Sequence, residues 1–162
     1  MVGRYRLHLA NSRLIYDFMF ERHINILNGD SSSGKSEFVN LLQTSLREIS
    51  GGGKSVADYQ TDFDWVAVLT PEDRSLELVK SRIGEENIGR SGLVVSDEDT
   101  FFFLKEWDIK NMLQSLDCYV LLVTRTKKGI GSLPYSVKSV YEMVTVGNDG
   151  DRAKVSLVNV YE

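Results

Sequence analysis

Between residues 5 and 20 hydrophobic and polar positions alternate. Tyr5, Leu7 and Leu9 share one face of "YRLHL", and Leu14, Tyr16, Phe18 and Phe20 share one face of "LIYDFMF", with "ANS" (Ala10–Ser12) between them. A period of two is that of a strand with one buried face, so this stretch predicts an antiparallel hairpin. The pattern then changes. "HINIL", His23–Leu27, carries β-branched residues and stops abruptly at Asn28-Gly29, which predicts a buried strand running into a tight turn.

From Lys35 onward the apolar residues Phe38, Leu41, Leu42, Leu46 and Ile49 fall at helical spacing, and Gly51–Gly53 ends the run. "FDWVAVL", Phe63–Leu69, predicts a strand. In "TPED", Thr70 is a cap, Pro71 the first helical position and Asp73 the third, a start resembling a capping box. Leu76, Val79 and Ile83 then supply a buried stripe, and Gly84 a stop. "LVVSDED" (Leu93–Asp99), a helix over about 101–116 and the strand "CYVLLVT" (Cys118–Thr124) follow. Strands alternating with helices in this order predict a parallel sheet with crossover helices. After the loop "GIGSLPYS" (Gly129–Ser136), "YEMVTV" and "KVSLVNVY" flank "GNDGD", which predicts a second hairpin, while "YSVKSVYEM" reads as a short helix or a strand. No repeat or linker divides the chain, so residues 1–162 are expected to form a single domain.

Composition narrows the class. A chain of 162 residues with 42% hydrophobic and 26% charged residues and two prolines falls among ordinary globular proteins. At this length roughly 70% of the unfolded surface is buried on folding. The longest apolar runs, such as "CYVLLV", are far below the roughly 20 residues a membrane helix needs, so no membrane segment is expected. "MVGRYRLHLANSR" lacks the apolar stretch of a secretory signal. One cysteine and two histidines offer neither an internal disulfide nor a metal-ligand spacing, and a reduced cytoplasmic setting is the expectation. A net charge of -4 leaves no broad basic footprint for nucleic acid, with "RTKK" (125–128) the one basic cluster.

Candidate chemistry is concentrated in Gly29-Asp30-Ser31-Ser32-Ser33-Gly34-Lys35-Ser36, which matches G-x-x-x-x-G-K-[ST] at every fixed position. A predicted strand precedes it and a predicted helix follows. Glycines let successive N–H groups turn inward, and the helix N-terminus adds positive dipole where phosphates would sit. The second glycine cluster, "GGGKS" (Gly51–Ser55), lacks this context. Five residues before Gly53 stands Glu48, inside the helix, so the cluster reads as a helix stop.

On these residues the chain resembles the P-loop NTPases, over Ile24 to Thr124. "LVVSDE" resembles a Walker B strand, with Asp97 at the Mg²⁺-associated position and Glu98 directly after it. An additional strand between the loop and this pair is similar to the branch containing the ABC and AAA+ ATPases, where such a glutamate polarises the attacking water. Ser96 departs from that pattern, which usually carries an apolar residue there. The resemblance implies a three-layer α/β P-loop fold with a mostly parallel central sheet, an N-terminal antiparallel hairpin and a C-terminal β-hairpin. It implies ATP and Mg²⁺: Lys35 and the loop from Gly29 to Ser36 on the phosphates, Ser36 and Asp97 on the metal, and Glu98 with Lys35 in catalysis. Thr124 falls where such families place a polar sensor of the γ-phosphate, and Arg125 beside it faces phosphate or a partner. Tyr5 or Tyr16 is a candidate for stacking on adenine, or a packing residue of the hairpin.

Other family features are missing from the sequence: an LSGG-like signature, a Q-loop glutamine, a histidine after the Thr124 strand and a C-terminal helical lid. The guanine-reading N-K-x-D is also missing. The implied function is a small Mg-dependent ATPase. Two alternatives stay open: a small kinase passing the γ-phosphoryl group to a metabolite or nucleotide, and a nucleotide-dependent switch with little turnover. A protein partner or a second copy would supply an arginine, for which Arg74, Arg82 and Arg90 are candidates.

Overall fold

The computed structural model describes residues 2–29, 34–53, 58–73, 75–97 (Asp97 by its backbone), 116–124 and 140–160. Nine strands are present among them: β1 Tyr5–Ala10, β2 Leu14–Phe20, β3 Ile24–Asn28, β4 Asp58–Thr61, β5 Trp65–Val68, β6 Gly92–Asp97, β7 Tyr119–Thr124, β8 Val140–Asp149 and β9 Arg152–Asn159. Two α-helices accompany them, α1 Lys35–Ser50 and α2 Leu76–Ile83. All nine strands form one sheet in the order β4-β1-β2-β9-β8-β3-β7-β6-β5.

This overturns the expected three-layer α/β fold about a mostly parallel sheet. The described residues are mainly strand, in a mixed sheet with two helices. The reason is that the two hairpins are built into the sheet rather than appended to it. β1 pairs antiparallel with β2 and β4, and β8 with β9. The second hairpin then inserts between the first and the remaining strands, β9 running parallel to β2 and β8 parallel to β3. β5, β6, β7 and β3 run parallel to their neighbours. The expected helix over about 101–116 lies outside the described residues except for Leu116, which is helical.

Each face of the sheet buries its own core. Under α1 the hairpin aromatics meet the helix: Phe18 packs edge-on to Phe38 with centroids 4.8 Å apart, and Tyr16 lies 5.2 Å from the same ring. Leu7, Leu9, Phe20, Leu42 and Leu121 complete this side. The other face gathers Ile24, Ile26, Val94, Val120 and Leu122 with Val79 and Ile83 of α2.

Local chemistry sets the ends of α1. Gly34 caps it with φ 83°, a left-handed conformation that costs glycine little. At the other end the N–H of Gly52 bonds the carbonyl of Ile49 at 3.0 Å and that of Gly53 the carbonyl of Glu48 at 3.1 Å, a paired closure that satisfies the last carbonyls. The "TPED" segment closes differently from expectation. The Asp73 carboxylate accepts from the Thr70 N–H at 2.7 Å, as a capping box would, but the structure formed is an isolated turn. The helix starts at Leu76 instead, where the Ser75 hydroxyl accepts from the Leu78 N–H at 3.2 Å.

Candidate functional site

β3 delivers the glycine loop to one edge of the sheet. Its last residue, Asn28, is the register partner of Thr124, the last residue of β7, and Asp97, the last residue of β6, is the partner of Val123. Three adjacent parallel strands therefore end together at their carboxyl termini. With strands about 4.8 Å apart, roughly 10 Å separates the backbones of Asn28 and Asp97 across β7. Ligands commonly seat at such an edge, beyond the carboxyl ends of parallel strands.

Lys35 is the first residue of α1 and is 6% exposed. Its ammonium donates a hydrogen bond to the carbonyl of Gly29, folding the side chain back over the start of the loop. The N-terminus of α1 points at the same place, because Gly34 leaves it with no side-chain cap. A buried cation and a helix N-terminus thus converge between Gly29 and Gly34, an arrangement that favours a bound anion. Ser36, in the first turn of the helix, is exposed.

One turn into α1, Glu37 is held by the Arg13 guanidinium, which reaches over from the β1–β2 turn. Thr124 is 1% exposed. Gly29, Gly34, Lys35, Ser36 and Thr124, with the backbone of Asp97, are brought to this edge. Asp30, Ser31, Ser32, Ser33, Glu98 and Arg125 lie outside the described residues, as do "RTKK" and the loop from 129 to 136.

Both adenine candidates are packing residues. Tyr5 stacks on Phe63 with centroids 5.0 Å apart and meets Tyr119 edge-on at 5.6 Å. Tyr16 is 2% exposed, and burial chiefly, with the nearby Glu37 charge, pushes its phenol up to about 12. His8 lies 3.3 Å from Asp58, and His23, at the start of β3 and so at the far end of that strand from the loop, 3.6 Å from Asp117. Arg82 is bound to Asp73 and Thr70, and Arg90 lies 3.4 Å from Asp64; Arg74 is outside the described residues.

Among the described residues no three His, Cys, Asp or Glu side chains converge on a metal position, and no helix is long and apolar enough to cross a membrane. A cavity of about 380 Å³ opens beside Arg6, Asp17, Arg152 and Lys154, and one of about 320 Å³ beside Arg47, Thr70 and Arg82.

One further residue at this edge, Asn28, carries no site motif in the sequence. Asn28 reads as half of an Asn-Gly turn signal, yet it ends a strand, and its side-chain Oδ1 is buried without a hydrogen-bond partner. A polar residue in the last position of a buried strand, directly before the loop, is the signal that could have found it. Neither a protein-family model nor a curated protein sequence matches this chain.

Proposed function

We propose that this chain binds ATP with Mg²⁺ through the loop from Gly29 to Ser36 and hydrolyses it. The observation that carries the reading is the buried Lys35 ammonium, held against the Gly29 carbonyl at the start of α1. A lysine ammonium folded over the start of the loop, beside the N-terminus of α1, puts positive charge and helix dipole at one place, which favours an anion there. The sequence pattern of the loop supports the same occupant, a phosphate chain.

In this reading Lys35 and the loop N–H groups hold the β- and γ-phosphates. Ser36 and Asp97 would hold Mg²⁺, whose chemistry is to neutralise charge on the phosphate oxygens. Thr124 and Arg125 would read the terminal phosphate, and Glu98 would orient the water that attacks it. Positioning and electrostatic stabilisation supply most of the rate in such a site.

The test is a titration of the purified protein with Mg-ATP and Mg-GTP, following binding and phosphate release together. The expected result is ATP binding lost in Lys35→Ala with the fold retained by circular dichroism, and acceptor-free phosphate release lost in Glu98→Gln with binding retained. ADP formation that needs an acceptor would point to a kinase, and tight binding without turnover to a switch. Absence of nucleotide binding in the wild type, or unchanged binding in Lys35→Ala, overturns the reading.

A further inference from the structure

Three neighbouring strands place polar side chains on one face at the edge where the loop begins. Ile26, Leu122 and Val94, in β3, β7 and β6, belong to the core on the α2 side. Side chains alternate along a strand, so Asn28, Thr124 and Ser96, each two residues further on, lie on that same face. Asn28 and Thr124 are register partners, and Ser96 is the partner of Leu122, so the three form an oblique row. Ser96 and Thr124 are each 1% exposed. The row interrupts a face that is otherwise hydrocarbon, and it includes the serine that departs from the Walker B pattern.

Two carboxamide oxygens of β3, those of Asn25 and Asn28, are shut off from water and accept no hydrogen bond. Asn25 is fixed by its Nδ2, which donates to the Arg22 and Val120 carbonyls at 2.7 and 3.2 Å, whereas Asn28 stands where the loop begins. Burying an acceptor without a partner forfeits its hydration, and native structures rarely tolerate it without a reason. The fold supplies none. Ile24 and Ile26 fill the preceding positions of this face, and a leucine at 28 would continue their pattern. An unpaired group at the threshold of a ligand loop gains its partner when the ligand arrives. That partner must be a donor, which excludes the phosphate oxygens themselves; a water held against them meets the requirement.

We propose that Asn28 is a ligand-reading residue: its carboxamide oxygen accepts a hydrogen bond from the water standing against the terminal phosphate, so that it favours a nucleoside triphosphate over a diphosphate. The inference rests on the reading of the loop as a phosphate site. Asn28 acts at the end of the ligand where the two nucleotides differ, and leaves the shared phosphates to Lys35 and the loop.

The experiment compares ATP and ADP affinities, each with Mg²⁺, in wild type, Asn28→Ala and Asn28→Leu, together with thermal unfolding of the nucleotide-free proteins. Expected is an ATP affinity about tenfold weaker in both variants, the scale of one hydrogen bond. ADP affinity stays within about twofold, and the nucleotide-free Asn28→Leu protein melts no lower than wild type, because an unpaired acceptor has been removed. Equal losses for ATP and ADP, no loss for either, or a destabilised variant with the wild-type ATP preference overturns the proposal while leaving the loop reading intact. A wild type that binds neither nucleotide is a separate outcome that fails the loop reading first. Should the variants not fold, the Asn28 side-chain amide resonances of the wild type decide: they shift with ATP and not with ADP if the proposal holds, and respond alike to both if it does not.

Discussion

Trp65 lies across Gly92. The two are register partners on β5 and β6, and a Cβ at position 92 would sit 1.9 Å from Cε2 of the indole and 2.1 Å from Cζ2. Trp65 is 7% exposed and its Nε1 donates to the Arg90 carbonyl at 3.2 Å, so the ring is held from its far side as well. Gly92→Ala is therefore expected to destabilise by about 2–3 kcal/mol, the cost of forcing a packed ring aside. In a chain of this size that is a fall of roughly 5–10 °C in Tm. Trp65→Ala combined with Gly92→Ala should cost less than the sum of the single changes, since the clash exists only while the indole is present. Thermal unfolding of the three variants checks both statements, and an additive double variant would show that the two residues do not interact.

The isolated turn after β5 has a charged centre. Asp73 is 3% exposed, and its Oδ2 receives the Thr70 N–H at 2.7 Å and the Arg82 Nε at 2.7 Å. Removing Arg82 leaves that buried carboxylate with the Thr70 N–H and hydroxyl as its donors and no opposite charge beside it. Arg82→Ala should cost about 1–2 kcal/mol, below the figure for a fully buried pair because the arginine is partly exposed. Asp73→Asn, which keeps an acceptor for the Thr70 N–H, should cost less. Urea unfolding of both variants separates the charge pair from the turn: equal losses would place the whole effect in the turn.

Arg6 and Asp17 face each other across the first hairpin, Nε to Oδ1 at 2.6 Å and Nη2 to Oδ2 at 2.8 Å. The hydrogen bond from Arg6 holds the Asp17 carboxyl below its ordinary 3.8, against the opposing effect of burial. A depressed value in the folded state means the pair's contribution is complete above 3.8 and is lost as pH falls through the lower, folded value. The stability gap between wild type and Asp17→Asn should thus be constant near neutrality and close under acid. It should stay small, because both side chains are nearly half exposed and the pair is screened. Denaturant midpoints from pH 7 down to pH 2 measure it, and a gap that widens in acid would contradict the assignment.

How much of this was legible beforehand depended on range. Period-two alternation fixed the faces of β1 and β2, and glycines at 34 and 51–53 bracketed α1, because both signals reside in neighbouring residues. β4, "DYQT", escaped notice because it is an edge strand with no buried run to betray it. The "TPED" box was recognised by its letters, but its hydrogen bonds close a turn equally well without a helix behind it. Strand neighbourship was out of reach: periodicity says which side chains face inward and nothing of which strand lies alongside, so the pairing of Tyr16 with Val155 left no local trace. At the candidate site, the strand before the loop and the helix after it could be placed from spacing. The unpaired Asn28 Oδ1 and the Arg13–Glu37 bridge could not, since each is a fact of packing between distant segments.

Cys118 offers a direct probe of the core. It is 0% exposed at the start of the innermost region, and burial pushes its thiol up to about 12. The reactive thiolate is then scarce at neutral pH as well as shielded. Iodoacetamide at pH 7.5 should leave the native protein unmodified over hours and label it once in denaturant. Rapid native labelling, read by intact mass, would mean that the strand carrying it opens far more readily than its packing indicates.

The insertion of β9 and β8 between β2 and β3 also sets a timetable for the ribosome. The strands on either side are made early, but their bridge is made after them, and the Ser156 hydroxyl bonds the Asp17 carbonyl across 139 residues of chain. Until residues 140–159 emerge, β2 and β3 lack the strands that pair with them in the folded sheet. Pairings of such long range close slowly, and unsatisfied edges invite association with other chains. The last strands made are thus the ones that close the sheet, and a chain lacking them has the edges of β2 and β3 uncovered.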